Sequence, residues 1–217
     1  FENEDTFDFD IKDSGVKLLA LFRFWSAYEF YSPYIQLTKT DWDSVLLSAI
    51  PEVLSADTYE EYVRSIARAA AQTGDAHIFI EDRQHVMWYF YGKYFLQCSV
   101  KYLDGQVVVR QTAESEEDLM PGDILLQIDG TPVEDRLDEL YSFYAVSRPE
   151  KILGQAEPQF LQTREENAVV TVLRDGRELD LQVTASRQRF RYDNPLQSGL
   201  IYNDRIGYLA PSSLKDE

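Results

Sequence analysis

The amino-acid sequence predicts an α+β fold, with an N-terminal three-helix domain followed by a small β-barrel or sandwich that carries one or two helices. Two observations indicate this order. Up to about residue 74, apolar residues recur at helical spacing, and beyond it they form short runs between turn residues. The clearest run, Ile124–Ile128, lies between a Pro-Gly-Asp turn and the Asp129-Gly130 pair, which predicts a short, well-packed strand.

The first helix is predicted over residues 16–31. Asp13 or Ser14 can cap its N-terminus, because a short polar side chain accepts hydrogen bonds from the free N–H groups of the first turn. Ser32-Pro33 ends it, since the residue before a proline disfavours helical backbone. Apolar side chains cover most of its surface, so this helix is expected to be largely buried.

Two shorter helices are predicted next. The second covers residues 41–50 with acidic residues in its first turn, and Pro51 is expected to bend or interrupt it. Thr58 and Glu61 have the spacing of a capping box, which marks the start of the third helix. Gly74 is placed to end that helix, because glycine readily adopts the left-handed conformation of a C-terminal cap.

Two β-hairpins are predicted beyond Gly74. Residues 95–102 and 107–111 flank one Asp-Gly pair, and residues 168–173 and 178–184 flank another. An Asp-Gly pair between two apolar-rich runs is a strong hairpin signal, because both positions tolerate the positive φ that the tight turn requires. The second half of the chain is therefore expected to be mainly antiparallel sheet.

The segments around these hairpins carry weaker patterns. Residues 76–80 and 86–91 are predicted to be strands or extended loop, and residues 133–146 are predicted to be helical. Residues 185–200 are polar and without periodicity, which is typical of a linker. Residues 204–210 have the pattern of the first strand of a further unit.

Composition excludes several functions. The chain has 217 residues, of which 44% are hydrophobic, and its formal net charge is −17. Such acidity argues against nucleic acid or an anionic membrane surface as a partner, and no apolar run is long enough to predict a transmembrane segment. Cys98 is the single cysteine, so no intrachain disulfide is predicted. Two histidines without ligand spacing predict no metal site, and no cofactor is predicted.

Two separated segments resemble the most recurrent parts of PDZ domains. Residues 121–132 read Pro-Gly-Asp-Ile-Leu-Leu-Gln-Ile-Asp-Gly-Thr-Pro, and residues 169–177 read Val-Val-Thr-Val-Leu-Arg-Asp-Gly-Arg. They occur in the order and at the separation that PDZ domains have. The resemblance implies a PDZ-like domain over residues 88–186.

The region before them resembles the N-terminal part of the tail-specific (C-terminal processing) and tricorn-like serine peptidases. In that family a helical region precedes a PDZ domain, and a catalytic core of mixed sheet follows. The resemblance implies a helical domain over residues 1–80, and a linker with the first strand of a truncated core over residues 187–217. The segments that carry it are Phe24-Trp25, Phe30-Tyr-Ser-Pro33, Asp41-Trp42, Ala49-Ile-Pro51, Tyr59-Glu-Glu-Tyr62, Thr73-Gly-Asp-Ala-His77 and Ile206-Gly-Tyr-Leu209.

The resemblance makes His77 the candidate general base and Asp75 a possible orienting residue. In one branch of the family, the histidine of an Asp-x-His element takes the proton from a serine that the core supplies. The other branch uses a Ser-Lys dyad from the core and would leave His77 structural. Ser212 and Ser213 lack the strand-to-helix context of the family's nucleophile, so the chain alone is expected to be inactive. His85 is expected to be structural.

A peptide groove is the second candidate site. In PDZ domains, the backbone N–H groups of one loop hold the peptide carboxylate while the peptide adds as a strand. Residues 91–96 would form that loop, with one glycine where the family's loop has two. The same aromatic residues would equally serve as core at the junction with the helical domain, and both interpretations stay open. The candidate residues are Gly92, Lys93, Tyr94, Phe95, Leu96, Leu137, Leu140, Tyr141 and Tyr144.

The function implied by this resemblance is that of the N-terminal regulatory and substrate-binding portion of a serine endopeptidase that works through an acyl-enzyme. Its partners would be a polypeptide substrate or a peptide C-terminus, and its own downstream peptidase core. Bacterial members of the family are usually exported to the periplasm or cell envelope, which is the expected location. The alternative is a non-catalytic PDZ module for peptide binding or scaffolding.

Overall fold

A computed structural model of the chain describes residues 9–38, 40–192, 199–201, 203 and 205–208. Within these residues the architecture is α+β with five α-helices and antiparallel sheets, which confirms the predicted class at that level. Parts of the predicted N-terminal domain (residues 1–8 and Lys39) and of the C-terminal segment lie outside the described residues, and Ser212 and Ser213 are among them. No helix within the described ranges is long and apolar enough to cross a bilayer.

Three α-helices precede the sheet: α1 Ser14–Tyr31, α2 Trp42–Ser55 and α3 Tyr59–Ala71, with a 3-10 turn at Ile35–Leu37. Their predicted caps are observed. The Asp13 carboxylate accepts hydrogen bonds from the first backbone N–H groups of α1. The capping box before α3 is complete, because Thr58 and Glu61 each accept from the backbone of the other.

Pro51 was predicted to bend or interrupt the second helix, and the interruption is wrong because α2 continues to Ser55. Proline removes one helical hydrogen bond and crowds the preceding turn, at about 3 kcal/mol. Ala49 and Val53, on either side of it, are 5% and 0% exposed in the helical core. Burying a large apolar side chain stabilises a protein by about 1.5–3 kcal/mol. Burial of the apolar side chains on this face of α2 therefore offsets the cost of the proline.

The sheet follows the predicted hairpins. The elements after α3 are β1 Tyr94–Phe95, β2 Cys98–Leu103, β3 Gln106–Thr112, β4 Ile124–Ile128, β5 Thr131–Pro132, α4 Val133–Tyr141, a 3-10 turn Pro149–Lys151, α5 Ile152–Phe160, β6 Gln162–Thr163, β7 Asn167–Arg174, β8 Arg177–Thr184, β9 Gly199–Ile201 and β10 Ile206–Tyr208. The order of the main sheet is β2-β3-β4-β7-β8 with the short β5 beside β4, and these pairings are antiparallel. Two small sheets pair β1 with β6 and β9 with β10.

Asp-Gly pairs make three of the tight turns between strands. At residues 104–105, 129–130 and 175–176, both members of the pair have positive φ, between 48° and 85°. Two-residue turns with positive φ match the right-handed twist of the strands they join. Both predicted hairpins and the strand before Asp129-Gly130 are thereby confirmed.

Two weaker expectations are resolved in part. Residues 76–80 and 86–91 contain no strand, which leaves the loop alternative of the prediction. The Asp82 carboxylate accepts from the backbone N–H groups of residues 84, 86 and 87 and holds residues 82–87 in turns. The helix predicted over 133–146 ends at Tyr141. The chain turns there because Leu140 enters the core of the sheet whereas Phe143 enters the core of the helices.

The described residues contain two apolar cores. One lies between the sheet and helices α4 and α5, and the other lies among α1, α2 and α3. Phe90 and Tyr144 are partly buried against both cores, so the two parts share a wall of aromatic side chains. The domain boundary predicted between residues 80 and 88 stays a prediction.

A buried arginine connects elements that are distant in sequence. Arg136 on α4 is 2% exposed. Its Nη1 donates to the carbonyl oxygens of Phe160 and Gln162 at 3.0 and 2.9 Å, and its Nη2 donates to Ile128 at 3.3 Å. The guanidinium lies 4.2 Å from the centre of the Tyr91 ring. Burial lowers the pKa of Arg136, but arginine remains charged, so these carbonyls and the ring solvate a buried cation.

We expect Arg136→Met to lower the free energy of unfolding by about 3 kcal/mol or more, because three buried carbonyl oxygens lose their donor. Arg136→Lys should also be destabilising, since an ammonium group lacks the planar fork. Urea denaturation followed by circular dichroism measures both. The exposed Arg177→Met on β8 is the control and should change stability by less than about 0.5 kcal/mol. Unchanged stability of Arg136→Met would contradict the assigned role.

Candidate functional site

The first candidate site is the turn that follows α3. Gly74 has the predicted positive φ, +63°. Helix α3 ends at Ala71 with Gln72 as its C-cap, so Gly74 lies two residues beyond the cap rather than directly after it as predicted. The hydroxyl of the buried Thr73 donates to the Ala70 carbonyl at 2.7 Å and accepts from the Asp75 N–H at 3.3 Å. Tyr28 of α1 donates its hydroxyl to the Thr73 carbonyl at 3.4 Å. Contacts from two helices therefore hold the backbone just before Asp75.

Asp75 and His77 are in direct contact, as the sequence spacing allows. Asp75 Oδ1 accepts from the His77 backbone N–H at 3.0 Å and lies 2.8 Å from His77 Nδ1. The His77 backbone N–H holds the pKa of the Asp75 carboxyl below its usual value, and the imidazole assists although partial burial opposes it. The ionised carboxylate keeps a proton on Nδ1, so the lone pair of the neutral ring is on Nε2.

The imidazole faces solvent within an apolar surface. The His77 side chain is 92% exposed, whereas that of Asp75 is 20% exposed. Around them is a shallow depression of about 500 Å³. Tyr31 and Phe79 in its wall are 84% and 76% exposed. Exposed aromatic side chains at this density are typical of a surface that contacts other polypeptide.

This pair has the chemistry of a general base with its orienting carboxylate. A histidine whose Nδ1–H is held by a carboxylate can take a proton at Nε2 from a hydroxyl nucleophile. Within the described residues, Asp75 is the one side chain hydrogen-bonded to the imidazole. Cys98 does not serve as a nucleophile, because it is fully buried and burial raises the pKa of its thiol.

The loop of the second candidate site is filled by a side chain of the same protein. Gln162 is fully buried. Its Oε1 accepts hydrogen bonds from the backbone N–H groups of Phe90 and Tyr91 at 2.9 and 3.2 Å, and its Nε2 donates to the Trp88 carbonyl at 2.6 Å. The Gln162 amide oxygen therefore binds two backbone N–H groups at the start of the loop that was predicted to bind a peptide carboxylate.

The backbone of the loop is also paired on both sides. The Phe95 N–H donates to the Ser186 carbonyl at 2.7 Å, and the Leu96 N–H donates to the Leu161 carbonyl at 2.9 Å. Phe95 and Leu96 are 5% and 1% exposed. Strand β1 thus lies between β6 and residue 186, so both of its edges are hydrogen-bonded within the chain.

Gly92 is required by the approach of β6. It has φ of +142°, and a Cβ built on it would lie 2.0 Å from the Thr163 carbonyl oxygen. This glycine therefore makes room for backbone of the same chain. The free edge of β2 is covered in a similar way, because Glu157 of α5 accepts from the Val100 N–H at 2.7 Å. Burial raises the pKa of that carboxyl.

The other predicted groove residues do not meet around one opening in the described part of the chain. Tyr94, Leu137 and Tyr144 line three different depressions. Leu140 is fully buried in the core of the sheet, and the Lys93 ammonium lies 5.8 Å from the centre of the Tyr89 ring. Leu137 packs partly buried against the same core as Leu140, and Tyr141 is 39% exposed at the end of α4.

Gln162 and Glu157, the two side chains that bond these backbone groups, were not predicted as site residues. Both lie between residues 147 and 162, where no candidate site residue was predicted. The one signal was a polar Gln162 directly after two large apolar residues, since a polar residue in such a position is often buried with partners. Nothing in the local pattern indicates which backbone groups, 71 and 72 positions earlier, those partners are.

The fold has known counterparts. The chain aligns with the crystal structure of a CPAF mutant at a TM-score of 0.59 and 16% identity, covering 79% of this chain and 34% of that chain. Mature CPAF, alone and complexed with lactacystin, gives a TM-score of 0.57 and 17% identity, with 79% and 35% covered. The photosystem II D1 C-terminal processing protease aligns at 0.42 and 16% identity, with 81% and 45% covered.

The comparison establishes a shared fold with CPAF. At 16–17% identity it establishes no more than the fold, and the chain spans about a third of the CPAF chains that it matches. No family model matches the sequence, and no curated protein matches it.

The Asp75 contact leads to a prediction about His77. Long-range ¹H–¹⁵N NMR spectra above neutral pH should show a larger population of the Nδ1–H tautomer for His77 than for His85, because Asp75 accepts from Nδ1. Asp75→Ala should remove the difference. His85 is the internal control, since no hydrogen bond to its ring is found among the described residues. Equal tautomer populations in the unsubstituted protein would contradict the orienting role.

The close approach at Gly92 leads to a second prediction. We expect Gly92→Ala to destabilise the protein by at least about 2 kcal/mol, because the new methyl group collides with backbone that must then move. Gly105→Ala is the matched control: its φ is also positive, at +85°, but its surroundings are open. It should cost about 1 kcal/mol for the left-handed backbone. Equal effects in urea denaturation would contradict the filled groove.

Proposed function

We propose that this chain is the N-terminal part of a serine endopeptidase related to the tail-specific and tricorn-like peptidases, and that His77 is its general base. The observation that carries the proposal is the 2.8 Å contact between His77 Nδ1 and Asp75 Oδ1 on an otherwise exposed imidazole. The sequence motifs that resemble the family and the fold shared with CPAF support it. The nucleophilic serine comes from a part of the protein outside this chain.

In the proposed reaction, His77 Nε2 takes the proton of the serine hydroxyl as its oxygen attacks the peptide carbonyl carbon. The imidazolium, stabilised by Asp75, then gives this proton to the leaving amine, and the acyl-enzyme remains. A water molecule hydrolyses the ester by the same route, with His77 again accepting and returning a proton. General acid–base catalysis of this kind contributes roughly 10²–10⁴-fold to the rate.

The exposed aromatic side chains near His77 suit this role. Tyr31 and Phe79, at 84% and 76% exposed, line the same depression as His77. A catalytic histidine works better where water is excluded, because charge interactions strengthen in a medium of low dielectric constant. We propose that the segment that bears the serine docks on this surface and covers it.

The sheet and its two helices, which we propose to be the PDZ-like unit, would act as a scaffold in this scheme. The N–H groups and strand edges that a peptide C-terminus would use are bonded within the chain through Gln162, Glu157 and Ser186. The alternative function, a non-catalytic module that captures peptide C-termini, needs these groups to be free. Because these groups are already hydrogen-bonded within the chain, we favour the peptidase proposal over the binding module.

Activity of the full-length protein tests the proposal. His77→Gln should lower kcat on an unfolded protein substrate by at least about 100-fold, with KM little changed, because the substitution removes the base without touching the substrate. Asp75→Asn should also lower kcat. Lys101→Gln on the exposed face of β2 is the control and should retain full activity. The 217-residue chain alone should show no turnover.

Two results would overturn the peptidase proposal. Full activity of His77→Gln would assign catalysis to another base, such as a lysine of the missing part. Tight binding of peptides with free C-termini by this chain, lost on amidation of the peptide, would support the binding module instead.

A further inference from the structure

One hydrogen bond connects helix α5 to the turn that carries Asp75 and His77. Gln155 of α5 donates from Nε2 to the Ala76 carbonyl oxygen at 3.1 Å, across 79 positions of sequence. The partner determines which end of the amide makes this contact, because a carbonyl oxygen only accepts. A helix that packs on the sheet therefore contacts the candidate catalytic turn directly, between its two functional residues.

The Ala76 carbonyl belongs to the same peptide group as the His77 N–H. A peptide group is planar, so its C=O and its N–H rotate together. In this group the oxygen accepts from Gln155, and the N–H donates to Asp75 Oδ1 at 3.0 Å. Both ends of the plane are therefore held, one by α5 and the other by the carboxylate that contacts the imidazole.

The adjacent backbone groups of the turn have partners close by in the sequence. The Asp75 N–H donates to the Thr73 hydroxyl at 3.3 Å, and the Ile78 N–H donates to the Asp75 carbonyl at 3.0 Å. These two bonds stay within residues 73–78 and do not involve Gln155. Removing the Gln155 amide would therefore leave them in place and release one end of a single peptide plane.

We propose that Gln155 is a positioning residue for the candidate general base. By binding the Ala76 carbonyl, it fixes the peptide plane whose N–H holds Asp75, and so keeps Asp75 Oδ1 against His77 Nδ1. Gln155 acts through Asp75 and takes no part in the proton transfer itself. The catalytic consequence rests on the proposed peptidase function, whereas the effect on the imidazole does not.

Polarisation of the peptide group acts in the same direction. A hydrogen bond to a peptide carbonyl makes the N–H of the same group a stronger donor. The His77 N–H is the main cause that lowers the pKa of the Asp75 carboxyl. Gln155 therefore favours the ionised carboxylate, which is the form that keeps a proton on Nδ1.

The contact is expected to affect the geometry of the turn more than the stability of the fold. Gln155 is exposed, and substitutions of exposed side chains usually change stability little. A hydrogen bond of ordinary strength nevertheless changes a local equilibrium by roughly 2- to 10-fold. A positioning role and a structural role can therefore be separated by measurement.

NMR of the 217-residue chain tests the positioning role without turnover. In Gln155→Met, which has a similar length but no N–H donor, the ratio of the Nδ1–H to the Nε2–H tautomer of His77 above neutral pH should fall at least about 2-fold. The pKa of the Asp75 carboxyl should rise toward its usual value. Gln155→Asn should act in the same way, because its amide is one methylene farther from Ala76. Unchanged tautomer ratios in both variants would overturn the proposal.

Gln182→Met on the exposed face of β8 is the matched control and should keep the tautomer ratio of the unsubstituted protein. Urea denaturation should show that Gln155→Met and Gln182→Met both leave the free energy of unfolding nearly unchanged. A clear loss of stability in Gln155→Met with an unchanged tautomer ratio would assign Gln155 to a structural role and overturn the positioning role.

Kinetics of the full-length protein measure the catalytic consequence. Gln155→Met should lower kcat by about 2- to 10-fold with KM little changed, because the base is less well oriented while the substrate contacts remain. A raised KM with an unchanged kcat would place Gln155 in substrate binding instead and overturn the positioning role.

The two proposals fail separately. A lower tautomer ratio in Gln155→Met would support the hold of Gln155 on the imidazole even where His77→Gln remains fully active, since the NMR measurement needs no turnover. Loss of activity in His77→Gln, together with an unchanged tautomer ratio and kcat in Gln155→Met, would retain the peptidase and remove the positioning role.

Discussion

The buried guanidinium of Arg136 is the constraint on which the second half of the structure depends. It binds the carbonyl oxygens at the end of α5 and in β6, and the end of β4, from a position on α4. A buried cation is costly without hydrogen-bond acceptors, so these carbonyls converge on the two Nη atoms, while Nε has no partner among the described residues. Their convergence fixes residues 160–162 and so places Gln162 against the loop at 90–91.

The same arrangement couples the two cores. Tyr91 stacks on Arg136, and its neighbour Phe90 packs against both the sheet and the helices. On the helical side, the guanidinium of Arg64 lies 5.1 Å from the centre of the Phe90 ring. Aromatic rings and guanidinium groups attract each other at such distances. The two cores are therefore joined by a continuous set of aromatic and guanidinium side chains.

Much of this fold follows from local patterns, and the rest depends on contacts between distant residues. The capping box at Thr58 and the Asp-Gly hairpin turns were predictable because each is determined by a few adjacent residues. The Asp75–His77 pair was found by its motif, and the structure supplied its hydrogen bonds. The continuation of α2 through Pro51 depends on burial between helices, and the filled groove depends on Gln162. Neither the continuation of α2 nor the filling of the groove can be predicted from neighbouring residues in the sequence.

The side chain of Gln162 acts as an intramolecular ligand of the loop at 90–91, because it is covalently tethered beside the groups that it binds. A tethered group has an effective concentration at its own site of the order of millimolar or higher. A free peptide with the same intrinsic affinity for the N–H groups of Phe90 and Tyr91 would have to reach a similar concentration to displace it. At micromolar concentrations such peptides occupy a fraction of roughly 10⁻³ of the sites. Free chain ends at micromolar concentration are thus largely excluded from this groove by mass action, and they would displace Gln162 only near its effective concentration.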